Sequence, residues 1–357
     1  MLEYVLIYMG ICFLSIFISI SDSKLFKFTI SVILITVLSY LYYQRDFSIG
    51  VDTYAYVEYF DLLKNSSFVQ AVDYARVFKI EVGFFLLSKI LIDLFDSSHI
   101  VFFIYALFVY SLLIFSFQRY KINFLFSVLS LFTFFPIFFY NFNILRQSIA
   151  LSLIIFSIYY LFNGRNKSFF SLIFLSSLFH APSIIAVSFY FIYRFKDFIY
   201  RNILGFILVF LAVIIGFFKF ASLFLDKYMV YLEADNVVNP FSFYSLSLYF
   251  MLLILSVFVL SRHKDQDGNV KFLNLIFLIF LMYNISLYFV GFSNQGLNRI
   301  GFYFMWPIIF IIPMFLRLGF SGNNRYLVNI LFFIFFGLMF GYILTHQPDS
   351  IVPFVSW

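Results

Sequence analysis

The chain has 357 residues, of which 64% are hydrophobic and only 11% are charged, and its formal net charge is +6. It contains 60 Phe and 27 Tyr, more apolar surface than a soluble domain of this size could bury. The composition therefore excludes a soluble fold and predicts an all-α polytopic integral membrane protein of about 10–12 transmembrane segments. We assign the basic excess to membrane topology, so we expect no nucleic-acid partner.

A series of apolar runs is long enough to cross a bilayer, which takes about 20 helical residues. We expect them to form a single membrane domain, 1–357, with membrane lipids as its surroundings. Two further stretches, 81–95 and 168–193, are ambiguous because each is interrupted by polar or helix-breaking residues. In chain order the predicted spans are 4–20, 25–43, 99–117, 122–140, 148–162, 203–225, 244–261, 272–291, 300–316 and 327–345.

Short loops rich in Lys and Arg set the expected orientation, because such loops stay in the cytoplasm. Six loops qualify, and together they hold 14 of the 23 basic residues. Placing all six inside leaves as outer segments 44–98, 141–147, the apex at 180–182, 226–243, 292–299 and the tail from 346, with 44–98 the longest loop. The basic residues of the six loops are Lys24, Lys27, Arg119, Lys121, Arg165, Lys167, Arg194, Lys196, Arg201, Arg262, Lys264, Lys271, Arg317 and Arg325.

The same orientation decides how the two ambiguous stretches are interpreted. Stretch 81–95 becomes a short helix at the outer membrane surface, within the loop 44–98. Stretch 168–193 must leave and re-enter the cytoplasmic side, which predicts a re-entrant hairpin that turns at His180-Ala181-Pro182. The alternative, a single crossing, inverts every later loop and removes the charge bias.

Ionisable residues next to membrane spans are costly and suggest a functional site. The predicted topology places Arg45, Asp52, Glu81, Arg146, His180 and Arg299 on one outer face.

The first group follows the second span directly. Arg45 supplies a planar fork of donors suited to phosphate, and Gly50 permits a sharp turn before Asp52. Thr53 and Tyr56 complete the motif as supporting residues. The alternative is an ordinary interfacial arginine beside an aromatic belt.

The second and third groups are built around Glu81 and Arg146. Glu81 begins a predicted helix, where it could act as a base, orient an arginine or merely cap the helix. Arg146 opens a helix, where the dipole disfavours a cation and an anionic ligand would relieve the penalty. Gln147 follows it as a supporting residue. The alternative for Arg146 is a salt bridge with an outer carboxylate.

The last two groups are His180 and Arg299. His180 stands at the predicted apex, and an imidazole is suited to proton transfer near neutral pH. Arg299 is predicted to begin a helix on the outer face, with Tyr303 one turn along as a supporting residue. The alternative for this pair is an interfacial anchor.

Several common sites are absent from the sequence. It has no Walker A loop, dinucleotide-binding glycine fingerprint, HExxH motif or Cys/His cluster. We therefore expect no cofactor and no metal. A surplus of arginine, histidine and carboxylate at the outer face favours a lipid-linked phosphate substrate. A lipid-linked oligosaccharide flippase or other transporter is the main alternative, although a transporter places charges near mid-membrane. A membrane acyltransferase is a second alternative.

Five motifs in this order resemble the EpsG family, which contains Wzy-type O-antigen and exopolysaccharide polymerases. The resemblance covers about residues 40 to 305, and the residues after His180 depart from the usual pattern. The motifs are Arg45…Gly50-Val-Asp52-Thr53…Tyr56, Glu81-Val-Gly83-Phe, Asn143…Arg146-Gln147-Ser-Ile-Ala150, Phe179-His180-Ala-Pro-Ser183 and Arg299-Ile-Gly-Phe-Tyr303.

The resemblance implies a polymerase of the bacterial inner membrane, similar in architecture to the GT-C glycosyltransferases. It implies that repeat units carried on undecaprenyl pyrophosphate are joined at the periplasmic face, with the lipid-linked units as donor and acceptor. A flippase and a chain-length regulator are the implied partners. In this scheme Arg45, Arg146 and Arg299 bind the pyrophosphate, and His180 is the leading general base, followed by Asp52 and Glu81.

Overall fold

The computed structural model describes residues 2–120, 123–133, 137–224, 254, 268–290, 295–319 and 322–346. Throughout these residues the regular elements are helices, and six of them are long and apolar enough to cross a membrane. The prediction of an all-α polytopic membrane protein is therefore confirmed. The six candidate spans are Glu3–Ile20, Lys24–Gln44, Ser98–Arg119, Leu145–Phe162, Gly268–Ser286 and Tyr326–Thr345.

Seven predicted spans coincide with single described helices. They correspond to α1 (Leu2–Ile20), α2 (Lys24–Gln44), α6 (Ser98–Arg119), α9 (Leu145–Phe162), α12 (Ile203–Phe224), α13 (Gly268–Val290) and α16 (Gly322–His346). The remaining described α-helices are α3 (Thr53–Lys64), α4 (Phe68–Val77), α5 (Val82–Phe95), α7 (Phe124–Ser130), α8 (Ile137–Asn143), α10 (Asn166–Ser177), α11 (Ser188–Arg201), α14 (Gln295–Met305) and α15 (Ile308–Gly319).

Two predicted spans are wrong as continuous helices. Stretch 122–140 divides into α7 and α8, and stretch 300–316 divides into α14 and α15. Proline is the physical reason for the second division, because it lacks an N–H and disfavours helical geometry in the residue before it. Pro136 immediately precedes α8 in the sequence, and Pro307 lies between α14 and α15. The predicted span 244–261 and the predicted outer loop 226–243 lie outside the described residues, apart from residue 254.

The loop 44–98 contains three helices, α3, α4 and α5, where the sequence predicted one. Helix α5 has 14 residues. Its length of about 21 Å is shorter than the hydrocarbon core of about 30 Å, as expected for a helix that does not cross.

The chain divides into two compact units, residues 1–184 with 312–357 and residues 185–311. That they form one membrane domain stays a prediction. In the first unit α2 and α6 run antiparallel. At one end Phe47 stacks on His99 with ring centroids 4.2 Å apart, and at the other the Gln118 amide donates to Ser31.

Helix α9 runs parallel to α6, because the C-terminal ends of the two helices lie together. The Tyr120 hydroxyl, just after α6, donates to the Ile155 carbonyl, and the Arg119 guanidinium lies 4.9 Å from the centre of the Tyr159 ring. One end of the first unit therefore carries the end of α2 and the starts of α6 and α9. The basic residues Lys24, Lys27 and Arg119 lie at the opposite end.

The second unit is built around α11, α13 and α14. The buried Phe189 ring packs edge-on against Phe272 and Phe304, and the Tyr193 hydroxyl donates to Asn269. An ion pair of 2.9 Å joins Lys271 to Asp197.

The chain leaves α-helical geometry where the sequence predicted the apex of a hairpin. Helix α10 ends at Ser177, and a 3-10 helix covers Ala181–Val187 before α11 begins at Ser188. Helix α10 packs on α9 in the first unit, and α11 packs on α13 in the second. The re-entrant hairpin itself stays a prediction.

Candidate functional site

Four segments that carry the sequence motifs meet at one end of the first unit. They are the turn between α2 and α3, the start of α5, the turn between α8 and α9, and the turn after α10. The backbone N–H of Val51 donates to the Asn143 side chain at 2.6 Å, which joins the first of these turns to the third. Glu81, at the start of α5, contacts both Arg146 and Ala181. It therefore joins the turn between α8 and α9 to the turn after α10.

Gly50 makes the close approach of the first and third turns possible. Its φ is +93°, a conformation that L side chains rarely adopt. A Cβ there would lie 2.6 Å from the Phe142 carbonyl oxygen and 2.7 Å from the Thr53 hydroxyl. The buried Thr53 hydroxyl donates to the Ile49 carbonyl at 2.6 Å. Gly50 and Thr53 therefore fix the loop that follows α2 against the turn that precedes α9.

Glu81 bridges two segments with its two carboxylate oxygens. Oε2 accepts a hydrogen bond from the Arg146 guanidinium, and Oε1 accepts from the backbone N–H of Ala181 at 2.8 Å. Glu81 occupies the N-cap position of α5, but its side chain makes no capping hydrogen bond to the helix. The salt-bridge alternative for Arg146 is observed. The Arg146 side chain is nevertheless 24% exposed.

Gly83 lets α5 pack directly on the turn after α10. A Cβ at Gly83 would lie 2.6 Å from the Leu178 carbonyl oxygen and 2.7 Å from the Leu178 Cβ. This contact brings the start of α5 close enough for Glu81 to reach Ala181.

Arg45, the residue directly after α2, is fully buried. The central carbon of its guanidinium lies 4.3 Å from the centre of the Phe102 ring and 5.1 Å from that of Phe142, and Nη1 donates to the Phe142 carbonyl. Its Nε and Nη2 have no hydrogen-bond partner among the described residues. Burial lowers the Arg45 pKa to about 10, which keeps the cation at neutral pH. Arg45 therefore braces the turn that carries Arg146.

The other predicted residues of the first unit lie around these contacts. Tyr56 is buried beside the Arg146 guanidinium, and Gln147 is buried one residue further along α9. Asp52 is half-buried and immediately precedes α3.

His180 is half-buried at the end of its turn. The backbone N–H of His180 donates to the Ser176 carbonyl at 3.0 Å, and the His180 backbone carbonyl accepts from the Ser183 N–H at 2.9 Å. A hydrogen bond of 2.8 Å between the Ser176 and Ser183 hydroxyls closes the turn. The imidazole is therefore carried on a fixed backbone next to the residue that Glu81 binds.

Arg299 and Tyr303 lie in the second unit, on α14. The prediction that Arg299 begins its helix is wrong, because α14 begins at Gln295 and Arg299 lies one turn inside it. Arg299 is half-buried and Tyr303 is fully buried. Gly301 packs against the Tyr283 ring, where a Cβ would lie 3.3 Å from two ring carbons.

Three contributors were not singled out as site residues from the sequence. Asn143 and Gly83 belong to the motifs but were not assigned roles, and the backbone N–H of Ala181 carries no sequence signal at all. The signal for Asn143 was a polar side chain in a short turn between apolar helices, where a buried amide needs a partner.

The helices and this cluster define a multi-pass membrane protein with a polar site at one end of a helical unit. The model of the EpsG family matches residues 28–356, so the chain belongs to the EpsG family. Membership supports a polysaccharide-polymerase type of role. No curated protein and no solved structure matches the chain.

Proposed function

We propose that this protein joins oligosaccharide repeat units, carried on undecaprenyl pyrophosphate, into O-antigen or a related surface polysaccharide. The observation that carries the proposal is the bridge of Glu81 between Arg146 and Ala181, because it sets a partly exposed cation beside the His180 turn. A cation and a proton acceptor are the two groups that glycosyl transfer from a pyrophosphate needs.

The cation serves the leaving group. Breaking the bond between sugar and pyrophosphate develops negative charge on the phosphate oxygens, and a preorganised cation stabilises it. Arg146 is the leading ligand because it is fixed by Glu81 and still partly exposed. Arg299 takes the same role in the proposal from its motif. Arg45 has a structural role in the proposal, since its guanidinium is buried among aromatic rings.

The proton acceptor serves the attacking sugar hydroxyl. His180 is the first choice for the general base, and half-buried Asp52 is the second. Glu81 is less suited to this role because both of its oxygens already accept hydrogen bonds from the protein. Its role in the proposal is to hold Arg146. No cofactor or metal takes part, because arginines neutralise the leaving group.

A base on one side and a stabilised leaving group on the other favour direct displacement with inversion at the anomeric carbon. The linkage analysis of polymer made from a donor of known anomeric configuration tests this. A product that retains the donor configuration would refute direct displacement.

In this proposal the protein lies in the bacterial inner membrane with a GT-C-like architecture, and its site faces the periplasm. A flippase delivers the lipid-linked units, and a chain-length regulator limits the product. The structure supports a common face for Arg45, Glu81, Arg146 and His180, because all four lie at the end of the first unit opposite Lys24.

Cysteine labelling tests the orientation. In a Cys12→Ser background, Asn65→Cys is exposed between α3 and α4 and should react with a membrane-impermeant maleimide in intact spheroplasts. Asn166→Cys, exposed at the start of α10, is the matched control and should react only after permeabilisation. The reverse pattern would contradict the periplasmic site.

Deletion of the gene tests the activity. A polymerase mutant should still display single repeat units on its lipid carrier or lipopolysaccharide, whereas a flippase mutant should display none. Arg146→Ala and His180→Ala should reproduce the polymerase phenotype with the protein still present in the membrane. Normal polymer length in both variants would remove the site assignment, and loss of all surface repeat units would favour the transporter.

A further inference from the structure

A cavity of about 490 Å³ opens at the end of the first unit opposite the candidate site. Its polar lining consists of Lys24 and Lys27 at the start of α2, Ser19 near the end of α1, Gln118 near the end of α6, and Asn123 just before α7. The rest of the lining is apolar. The cavity is therefore shared by four helices and concentrates two cations with amide and hydroxyl groups.

One wall of the cavity is fixed by hydrogen bonds to a buried serine. The Gln118 amide donates to the Ser31 hydroxyl at 2.5 Å, and that hydroxyl donates to the Lys27 carbonyl at 2.7 Å. Ser31 is fully buried. The positions of Gln118 and of the Lys27 backbone are thus set before any ligand binds, which lowers the entropic cost of binding.

The two lysines have no ion-pair partner among the residues that the structure describes. Asp22, the acidic residue nearest to them in sequence, is exposed in the connection before α2 and does not line the cavity. The cavity therefore has a positive charge that an anion can neutralise.

The surroundings of the cavity indicate where that anion comes from. Leu25 is 76% exposed and Phe28 is 54% exposed on the same helical turns as the lysines. These side chains belong to a candidate membrane span, so acyl chains cover them. Basic pockets between transmembrane helices are typical sites for anionic lipid headgroups.

We propose that this cavity binds the phosphate headgroup of an anionic glycerophospholipid from the leaflet at this end of the protein. Lys24 and Lys27 bind the phosphate, Gln118 donates to its oxygens, and the acyl chains lie along the exposed apolar face of α2. The lipid joins the ends of α1, α2, α6 and α7, so its binding stabilises the folded unit. This site is independent of the polymerase proposal, since it involves none of the residues of the candidate site.

The test uses the full chain, purified in a neutral detergent and titrated with phosphatidylglycerol, with native mass spectrometry and thermal unfolding as readouts. The wild-type protein should retain phosphatidylglycerol and unfold at a higher temperature in its presence. The variant Lys24→Gln/Lys27→Gln should bind it about 10- to 30-fold more weakly, because each lysine near an anionic lipid contributes roughly fivefold. Lys24→Arg/Lys27→Arg should restore binding and shows that the double variant failed through charge.

Lys167→Gln is the matched control, because Lys167 is exposed at the same end but does not line the cavity. It should bind phosphatidylglycerol like the wild type. Equal stabilisation by phosphatidylcholine, or an unchanged affinity in the double glutamine variant, would overturn the proposal. Equal stabilisation by inorganic phosphate at the same concentration would overturn the lipid assignment and identify a free-anion site.

Discussion

Replacing Glu81 by Gln tests whether this carboxylate positions Arg146. The substitution keeps the size of the side chain, and its amide oxygen can still accept from the Ala181 N–H. Its amide nitrogen then faces the Arg146 guanidinium, so a charge-assisted hydrogen bond is replaced by two opposed donors. Such a bond contributes about 1.5–3 kcal/mol. Because the Glu81 and Arg146 side chains are 15% and 24% exposed, we expect the lower half of that range.

A loss of about 1.5–2 kcal/mol corresponds to an initial polymerisation rate about 10- to 30-fold below that of the wild type. The assay follows consumption of a defined lipid-linked repeat unit by purified protein, and Glu58→Gln, an exposed carboxylate of α3, is the control. The double variant Glu81→Gln/Arg146→Gln should lose no more than Arg146→Gln alone, since the two residues act as a pair. A rate within twofold of the wild type would refute the positioning role, and a loss of about 10²- to 10⁴-fold, the range expected when a general base is removed, would identify Glu81 as the base instead.

Three further outcomes are expected. Gly50→Ala should lower the polymerisation rate by about 100-fold, because its Cβ would displace the Phe142 carbonyl and the turn that carries Arg146. The control Gly164→Ala, at a φ of +69° with nothing within 4 Å, should leave the rate unchanged. Equal losses of rate in the two variants would contradict the reasoning. Arg45→Lys should lower the free energy of unfolding by about 1–3 kcal/mol in thermal unfolding, because the contact of the guanidinium with the Phe102 ring is lost. A normal stability combined with lost pyrophosphate binding would instead show that Arg45 contacts the pyrophosphate directly. His180→Gln should lower the polymerisation rate by about 10²- to 10⁴-fold. It should also abolish the fall in rate at low pH, because that fall follows from protonation of the base. An unchanged pH–rate profile would exclude His180 as the base.

The long helices could be predicted from the sequence because each apolar run needs only length and composition. The main error lies at Pro307, which the apolar pattern places within a continuous span although it separates α14 from α15. The helices α3 and α4 were missed because their mixed polar and apolar residues lack the signal of a membrane span.

The meeting of the motifs could be predicted only in outline. Basic loops placed Arg45, Glu81, Arg146 and His180 on one face, and the structure brings their segments together. The sequence could not show that Arg45 is buried, because burial depends on packing of Phe102 and Phe142 from distant parts of the chain. Nor could it show that Glu81 binds a backbone N–H, since every residue except proline offers one.

In-vitro polymerisation with purified protein tests the central claim most directly. The substrate is a single oligosaccharide repeat unit on undecaprenyl pyrophosphate, supplied without nucleotide sugar. We expect a ladder of longer products, release of one undecaprenyl pyrophosphate for each bond formed, and loss of both in the Arg146→Ala variant. Absence of any product longer than one unit from folded wild-type protein, or a ladder of wild-type intensity from Arg146→Ala, would contradict the account.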